Sequence, residues 1–176
     1  LRSLGLSPNM LACRCEKPLE ESVRQKLALF CHVPQEHVLT MHDVSNIWRV
    51  PLMMERQGAH HVVCRQLGLP NADKLDLTVW KHALADRWDS LTEPVSIAMV
   101  GKYTGLSDAY LSVIKSLQHA CMEAKLKLQL EWVEASDLED GAPEPTRTAA
   151  WAKLSAAGGV LVPGGFGSRG VEGKIS

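Results

Sequence analysis

Residues 95–101 read VSIAMVG, a near-continuous apolar run that ends on a glycine. A strand buried on both faces, as in a parallel sheet, is apolar at every position rather than at alternate ones. Downstream the pattern switches period. Ser107 and Asp108 open a helix, and Tyr110, Ile114, Leu117 and Cys121 fall on one face of it. Residues 126–133 alternate as a strand, GAPEPT (141–146) reads as a surface loop, 151–157 as a short helix and GGVLVP (158–163) as a third strand. Strand, helix, strand, helix, strand with short connections is the start of a doubly wound sheet, in which ligand loops gather at the strands' carboxyl ends.

The same alternation runs upstream. Residues 1–5 read as a helix stopping at Gly5, and 10–14 as a strand. Pro18 opens a helix reaching Phe30, with Glu20 and Glu21 in its first turn where they suit the dipole. Residues 38–41 form a strand, 47–57 a helix interrupted by Pro51 and closed by Gly58, and 60–67 a further helix. Between the two patterns lie the turn-rich GLPNADKLD and an amphipathic helix, 77–91, with Trp80, Leu84 and Trp88 four residues apart. The expected fold class is therefore α/β: parts of two parallel-sheet domains, 1–69 and 95–176, joined by a helix-containing connector over 70–94.

Composition narrows the classes of function. The 176 residues are 45% hydrophobic and 22% charged, as in a globular domain, and the net charge of −1 gives no global field to recruit nucleic acid or an anionic membrane. No apolar stretch approaches the roughly 20 residues that span a bilayer. LRSLGLSPNM lacks an initiator Met and the apolar region of a signal peptide. Cys13, Cys15, Cys31, Cys64 and Cys121 are odd in number and irregular in spacing, which suits reduced thiols and a cytoplasmic setting. Neither Cys13-x-Cys15 with Cys31-His32 nor His60-His61 with Cys64 has zinc-ribbon spacing, so no metal site is expected.

The third strand runs into VLVPGGFGSRG (160–170), which contains G-x-G-x-x-G. A dinucleotide fingerprint follows the first strand and opens a helix directly; here the strand is the third and Pro163 intervenes. A Walker A loop needs Lys followed by Ser or Thr, whereas Gly173-Lys174 is followed by Ile175. A plain glycine-rich turn remains an alternative. Strand-Pro-Gly-Gly also suits an oxyanion hole, because glycine lets backbone N–H groups face a developing negative charge.

LVPGGFG resembles the corresponding loop of class I glutamine amidotransferases. With their flanks, VGKYTGLSDAYLSVIKSLQHA (100–120) and LVPGGFGSRGVEGKI (161–175) resemble the start of the amidotransferase domain of the CTP synthase family. LRSLGLSPNMLACRC, RQKLALFCHVP and HDVSNIWRVPLMMERQG resemble the C-terminal part of that family's P-loop-like synthetase domain, so the resemblance covers essentially the whole chain. It implies a ligase in which ATP phosphorylates uracil O4 of UTP and ammonia from glutamine displaces the phosphate to give CTP. It also implies GTP as activator, CTP as feedback inhibitor, Mg²⁺ accompanying ATP, and homotetramers that stack into filaments, with no nucleic-acid or membrane partner.

Site residues follow from the matched motifs. Lys26, on the rim of the stripe Leu19, Val23, Leu27 and Phe30, matches a lysine that contacts UTP or CTP; a lysine there also snorkels without a ligand. Arg14 and His42-Asp43-Val44 match positions around the ATP adenine, with a helix N-cap ahead of Ile47 as the structural alternative for Asp43. Gly164 and Gly165 match the oxyanion and glutamine loop, and Arg169, Gly170 and Glu172 an element tied to GTP activation. Lys102 and Tyr103 sit where ligand loops belong. The family's P-loop, its Mg²⁺ ligands and its nucleophilic Cys elbow have no counterpart in the sequence. The expectation is thus an internal segment of a longer enzyme, inactive alone; the alternative is a truncated, non-catalytic oligomer- or filament-interaction module.

Overall fold

The computed structural model describes residues 2–70, 74–102, 104–105, 107–165 and 167–175. The chain divides into two compact units, Leu1–Asp89 and Ser90–Ser176, each α/β with its own parallel sheet.

In the first unit, β1 (Leu11–Arg14) pairs in parallel with β2 (Val38–Met41), Leu11 opposite Val38 and Arg14 opposite Met41. Between them runs α1 (Glu21–Cys31), not starting at Pro18 as expected: Glu20 stays extended (φ −65°, ψ 151°) and its carbonyl accepts from the N–H groups of Val23 and Arg24. The buried stripe shifts with the register. Ala28, Val33 and Val38 form the core, joined by Leu11, Cys13, Leu27 and Cys31, while Phe30 is 75% exposed. Burial pushes the Cys13 thiol up, helped by the neighbouring Cys15 and Cys31.

Helices α2 (Arg49–Arg56) and α3 (Ala59–Leu67) follow. Pro51 does not interrupt α2, because it falls in the first turn, where its absent N–H would have no intrahelical acceptor. Next comes α4, residues 78–90, whose middle, Lys81–Asp86, is π-wound. Residues 78–89, expected within the connector, cluster with this unit. Trp80 Nε1 donates to the Trp48 carbonyl at 2.7 Å, the Trp48 and Trp88 rings pack with centroids 4.9 Å apart and planes tilted by 48°, and Ala85 is fully buried. A polar clasp completes the contact: Asp89 accepts from Asn46 (2.8 Å), Ser45 (2.8 Å) and Arg49 Nε (2.7 Å), and Asp86 from Arg49 (3.0 Å).

The free edge of β2 is closed without a strand. Gln57 Oε1 accepts from the Thr40 N–H at 2.8 Å, and Gln57 Nε2 donates to the Thr40 carbonyl at 3.0 Å. One side-chain amide thus occupies both ladder positions, blunting an edge that would otherwise be open to pairing.

The second unit is a three-stranded parallel sheet, β4-β3-β5, formed by β3 (Pro94–Gly101), β4 (Lys127–Glu134) and β5 (Gly159–Leu161). The apolar run is the central strand: Ala98 and Met99 are fully buried and Val100 is 2% exposed. β4 lies at an edge and alternates in burial as its sequence does. A 3₁₀ turn, Ser107–Tyr110, leads into α5 (Leu111–Glu123). GAPEPT is only partly loop, since α6 spans Glu144–Ala156 with Pro143 as its cap and Pro145 in its first turn, where proline fits a helix. Ala98, Val100, Val133, Ala135, Leu138 and Ala150 form the core. A short α7 (Glu172–Ile175) ends the described chain. No helix among the described residues is long and apolar enough to cross a membrane.

Candidate functional site

In the first unit the carboxyl ends of β1 and β2 carry the polar groups, as a parallel sheet requires. The ladder continues past both strands: Cys15 N–H donates to the Met41 carbonyl (3.2 Å) and Asp43 N–H to the Glu16 carbonyl (3.4 Å). Arg14 and Asp43 thereby face each other and form an ion pair, and Arg14 also donates to the Cys15 carbonyl. Asp43 caps no helix, because α2 begins only at Arg49. A cleft of about 380 Å³ opens here, lined by Arg14, His42, Asp43 and Val44 together with Ile47 and Val50. All four residues matched to an adenine site thus converge on one concavity with an apolar wall, a shape suited to a planar base.

A second cleft of about 360 Å³ shares His42 and Val44 and is bordered by Arg24, Arg49 and Arg56. His42 Nδ1 is buried and has no hydrogen-bond partner among the described residues. Lys26 lies outside the lining of both, exposed on α1.

In the second unit, the ends of all three strands meet the glycine loop. Gly101 closes β3 against the Tyr110 ring: a Cβ there would lie 2.8 Å from the Tyr110 hydroxyl, which accepts from the Lys102 N–H at 3.2 Å. Lys102 follows, only 8% exposed, and its side chain runs beneath the loop, with Cε 3.5 Å and Nζ 3.8 Å from the position of a Gly165 Cβ. Tyr103 and Phe166 lie outside the described residues.

Glu134, the last residue of β4, accepts from Thr104 Oγ1 (2.8 Å) and from Arg169 (3.1 Å). Arg169 is therefore tied to the sheet rather than simply solvated. Gly170 is buried at φ +72°, where an added Cβ would stand 2.9 Å from Ala135 Cβ. Glu172 opens α7 at the surface.

Pro163 is buried, whereas Gly164 and Gly165 are exposed. A Cβ on Gly164 would meet nothing within 4 Å. Among the described residues, no protein group accepts from the N–H of Gly164 or Gly165. Two adjacent amide donors on exposed residues at the carboxyl end of a parallel sheet thus stand without a described protein acceptor, and such donors can bind an oxygen bearing negative charge.

Sequence reasoning passed over three residues here. Glu134 and Gln57 carry no motif, and their roles depend on strand ends and edges that exist only once the sheets form. Lys174 lacks the Ser or Thr that a Walker lysine needs after it, yet its Nζ donates to the Pro163 carbonyl at 3.1 Å.

Residues 1–69 match the family model described as CTP synthase N-terminus. The chain is 51% identical over 180 aligned residues to CTP synthase 1 of Homo sapiens and 50% identical over 180 to CTP synthase 1 of Danio rerio, covering 99% of this chain and 30% of each relative. It is 46% identical to the CTP synthase of Schizosaccharomyces pombe, covering 100% of this chain and 31% of that protein. The matches to these relatives run through both units, and the chain spans about 30% of the length of the relatives.

Proposed function

We propose that this chain forms part of a CTP synthase, a ligase that aminates UTP to CTP with ammonia drawn from glutamine. In this proposal residues 1–69 belong to the C-terminal part of the synthetase domain and residues 95–176 to the start of a class I amidotransferase domain. The cleft at Arg14, His42, Asp43 and Val44 takes the adenine of ATP, and Lys26 contacts UTP or the inhibitor CTP. ATP phosphorylates uracil O4, ammonia attacks C4, and phosphate leaves. Arg169, Gly170 and Glu172 form the GTP-responsive side of the glycine loop, and homotetramers that stack into filaments belong to the same proposal.

The observation that carries it is the pair of unaccepted N–H groups at Gly164 and Gly165. As a glutamine side-chain carbonyl is attacked, its oxygen gains negative charge. Donors already fixed toward that position stabilise the transition state more than the ground state, typically by a factor of about 10²–10³ per donor. Among the described residues no three His, Cys, Asp or Glu side chains converge, and no step here is routed through a metal.

The test uses the complete protein that carries this chain. In Gly165→Val the branch adds bulk beyond a Cβ that already contacts Lys102 Cε at 3.5 Å. The expected result is a large fall in glutamine-dependent CTP formation with activity on free ammonia retained. Equal loss with both nitrogen sources would overturn the oxyanion assignment.

A further inference from the structure

We propose that Lys174 is a positioning residue that sets the direction of the Gly164 N–H, an inference that rests on the oxyanion role of the loop. The chain of causes begins at the lysine stem. It is half-buried and borders an apolar groove of the second unit lined by Val160, Val162, Trp151 and Leu154, a surface along which a lysine stem lies with its charged end at a polar group. The ammonium ends on the carbonyl of buried Pro163 at 3.1 Å. A charge-assisted hydrogen bond at that distance fixes the plane of the Pro163–Gly164 peptide.

In a trans peptide the carbonyl and the following N–H point in opposite directions. No cis peptide occurs among the described residues. Anchoring the Pro163 oxygen toward Lys174 therefore turns the Gly164 N–H to the other side, away from the lysine and free of any protein acceptor. Without the anchor, a Pro-Gly-Gly sequence offers little resistance to rotation of this peptide, since neither glycine carries a Cβ to oppose it. A rotated peptide presents a carbonyl oxygen where the donor should be, and oxygen repels an oxyanion. Gly173, immediately before Lys174, packs directly on the Ala135 carbonyl and holds the lysine's backbone against the 3₁₀ turn Ala135–Leu138 that follows β4.

The sequence supplies a direct probe. Pro163-Gly164 is the only Pro-Gly pair in the chain, so labelling proline with ¹³C′ and glycine with ¹⁵N gives a single correlated amide signal. In the 176-residue chain Lys174→Met should displace it at neutral pH, while Lys174→Arg should leave it near the original position. A signal indifferent to Lys174→Met overturns the proposal, and the remaining amide signals of the same spectrum report whether the variant is folded.

In the complete protein, Lys174→Met should lower the ratio of glutamine-dependent to ammonia-dependent kcat about 10- to 100-fold, less than the roughly 10²–10³ for outright loss of one oxyanion donor because the donor is misdirected rather than removed, with Lys174→Arg restoring most of it. The KM for glutamine should change far less than kcat. A displaced signal with an unchanged ratio also overturns the positioning role. If instead Gly165→Val depresses both nitrogen sources equally while the signal still follows Lys174, the oxyanion reading fails and the peptide anchor stands.

Discussion

Gly173→Ala sets two effects of opposite sign against each other. Gly173 lies in α7, and alanine is favoured over glycine in a helix by up to about 1 kcal/mol, so local propensity alone predicts stabilisation. Packing predicts the reverse. A Cβ at this position would stand 1.7 Å from the Ala135 carbonyl oxygen and 2.7 Å from its carbon. The closest comfortable carbon-to-oxygen approach is about 3.3 Å, so α7 or the Ala135 turn must retreat by roughly 1.5 Å. Both sides of the contact are backbone, and no rotamer change relieves it. Overpacking of this kind costs about 1–3 kcal/mol, and the upper part of that range applies where nothing flexible can yield. The propensity gain is small in a four-residue helix, so the net effect is a loss of about 2 kcal/mol. For a unit of this size that lowers Tm by on the order of 10 °C. Differential scanning calorimetry should show a lowered transition for the second unit, and hydrogen exchange should show faster exchange in residues 167–175. Gly164→Ala is the control: nothing lies within 4 Å of its Cβ, and its effect should stay within about 0.5 kcal/mol. A Gly173→Ala protein melting at or above the unmodified one would refute the packing argument.

The remaining predictions concern the first unit. Gln57→Ala removes both hydrogen bonds that close the β2 edge, so it should destabilise this unit by about 1–3 kcal/mol, read as a lower urea midpoint by Trp48 fluorescence with faster exchange of the Thr40 amide. Asp89 is expected to impose an acid limit on the docking of α4. Partial burial pushes its pKa up, but hydrogen bonds from Asn46, Ser45 and Arg49 and the Arg49 charge outweigh it and hold the carboxyl below the usual carboxylate range. With the folded value depressed, the clasp's contribution is complete above the unfolded carboxylate pKa and is lost as pH falls through the folded value. Acid titration of Trp48–Trp88 fluorescence should show this loss. Asp89→Asn should weaken docking at neutral pH by about 1 kcal/mol and flatten the acid transition; an unchanged acid profile would remove Asp89 from the clasp.

The alternation of strands and helices was legible in the sequence because it follows from periodicity: an all-apolar run demands burial on two faces, and VSIAMVG is indeed the central strand of its sheet. The glycine loop was legible too, as a strand end followed by Pro-Gly-Gly. What periodicity could not give were start points and faces. Pro18 and GAPEPT were misread because proline marks a loop and a helix's first turn equally well, and only the packing of α1 and α6 on their sheets chooses between them. The Leu19–Phe30 stripe failed for a related reason: once α1 starts at Glu21, Leu19 lies outside the helix and Phe30 faces away from the core.

The site residues divide in the same way. Arg14 and Asp43 are far apart in sequence, and only the parallel pairing of β1 with β2 brings them to one strand edge. Glu134, Arg169 and Thr104 come from three segments and meet because the sheet gathers the carboxyl ends of its strands. The sequence by itself determined which elements form and which loop carries amide donors, since both depend on residues close along the chain. Where those donors point was decided only by tertiary structure, because the direction of a glycine peptide is set by what holds its carbonyl, here a lysine 11 residues away.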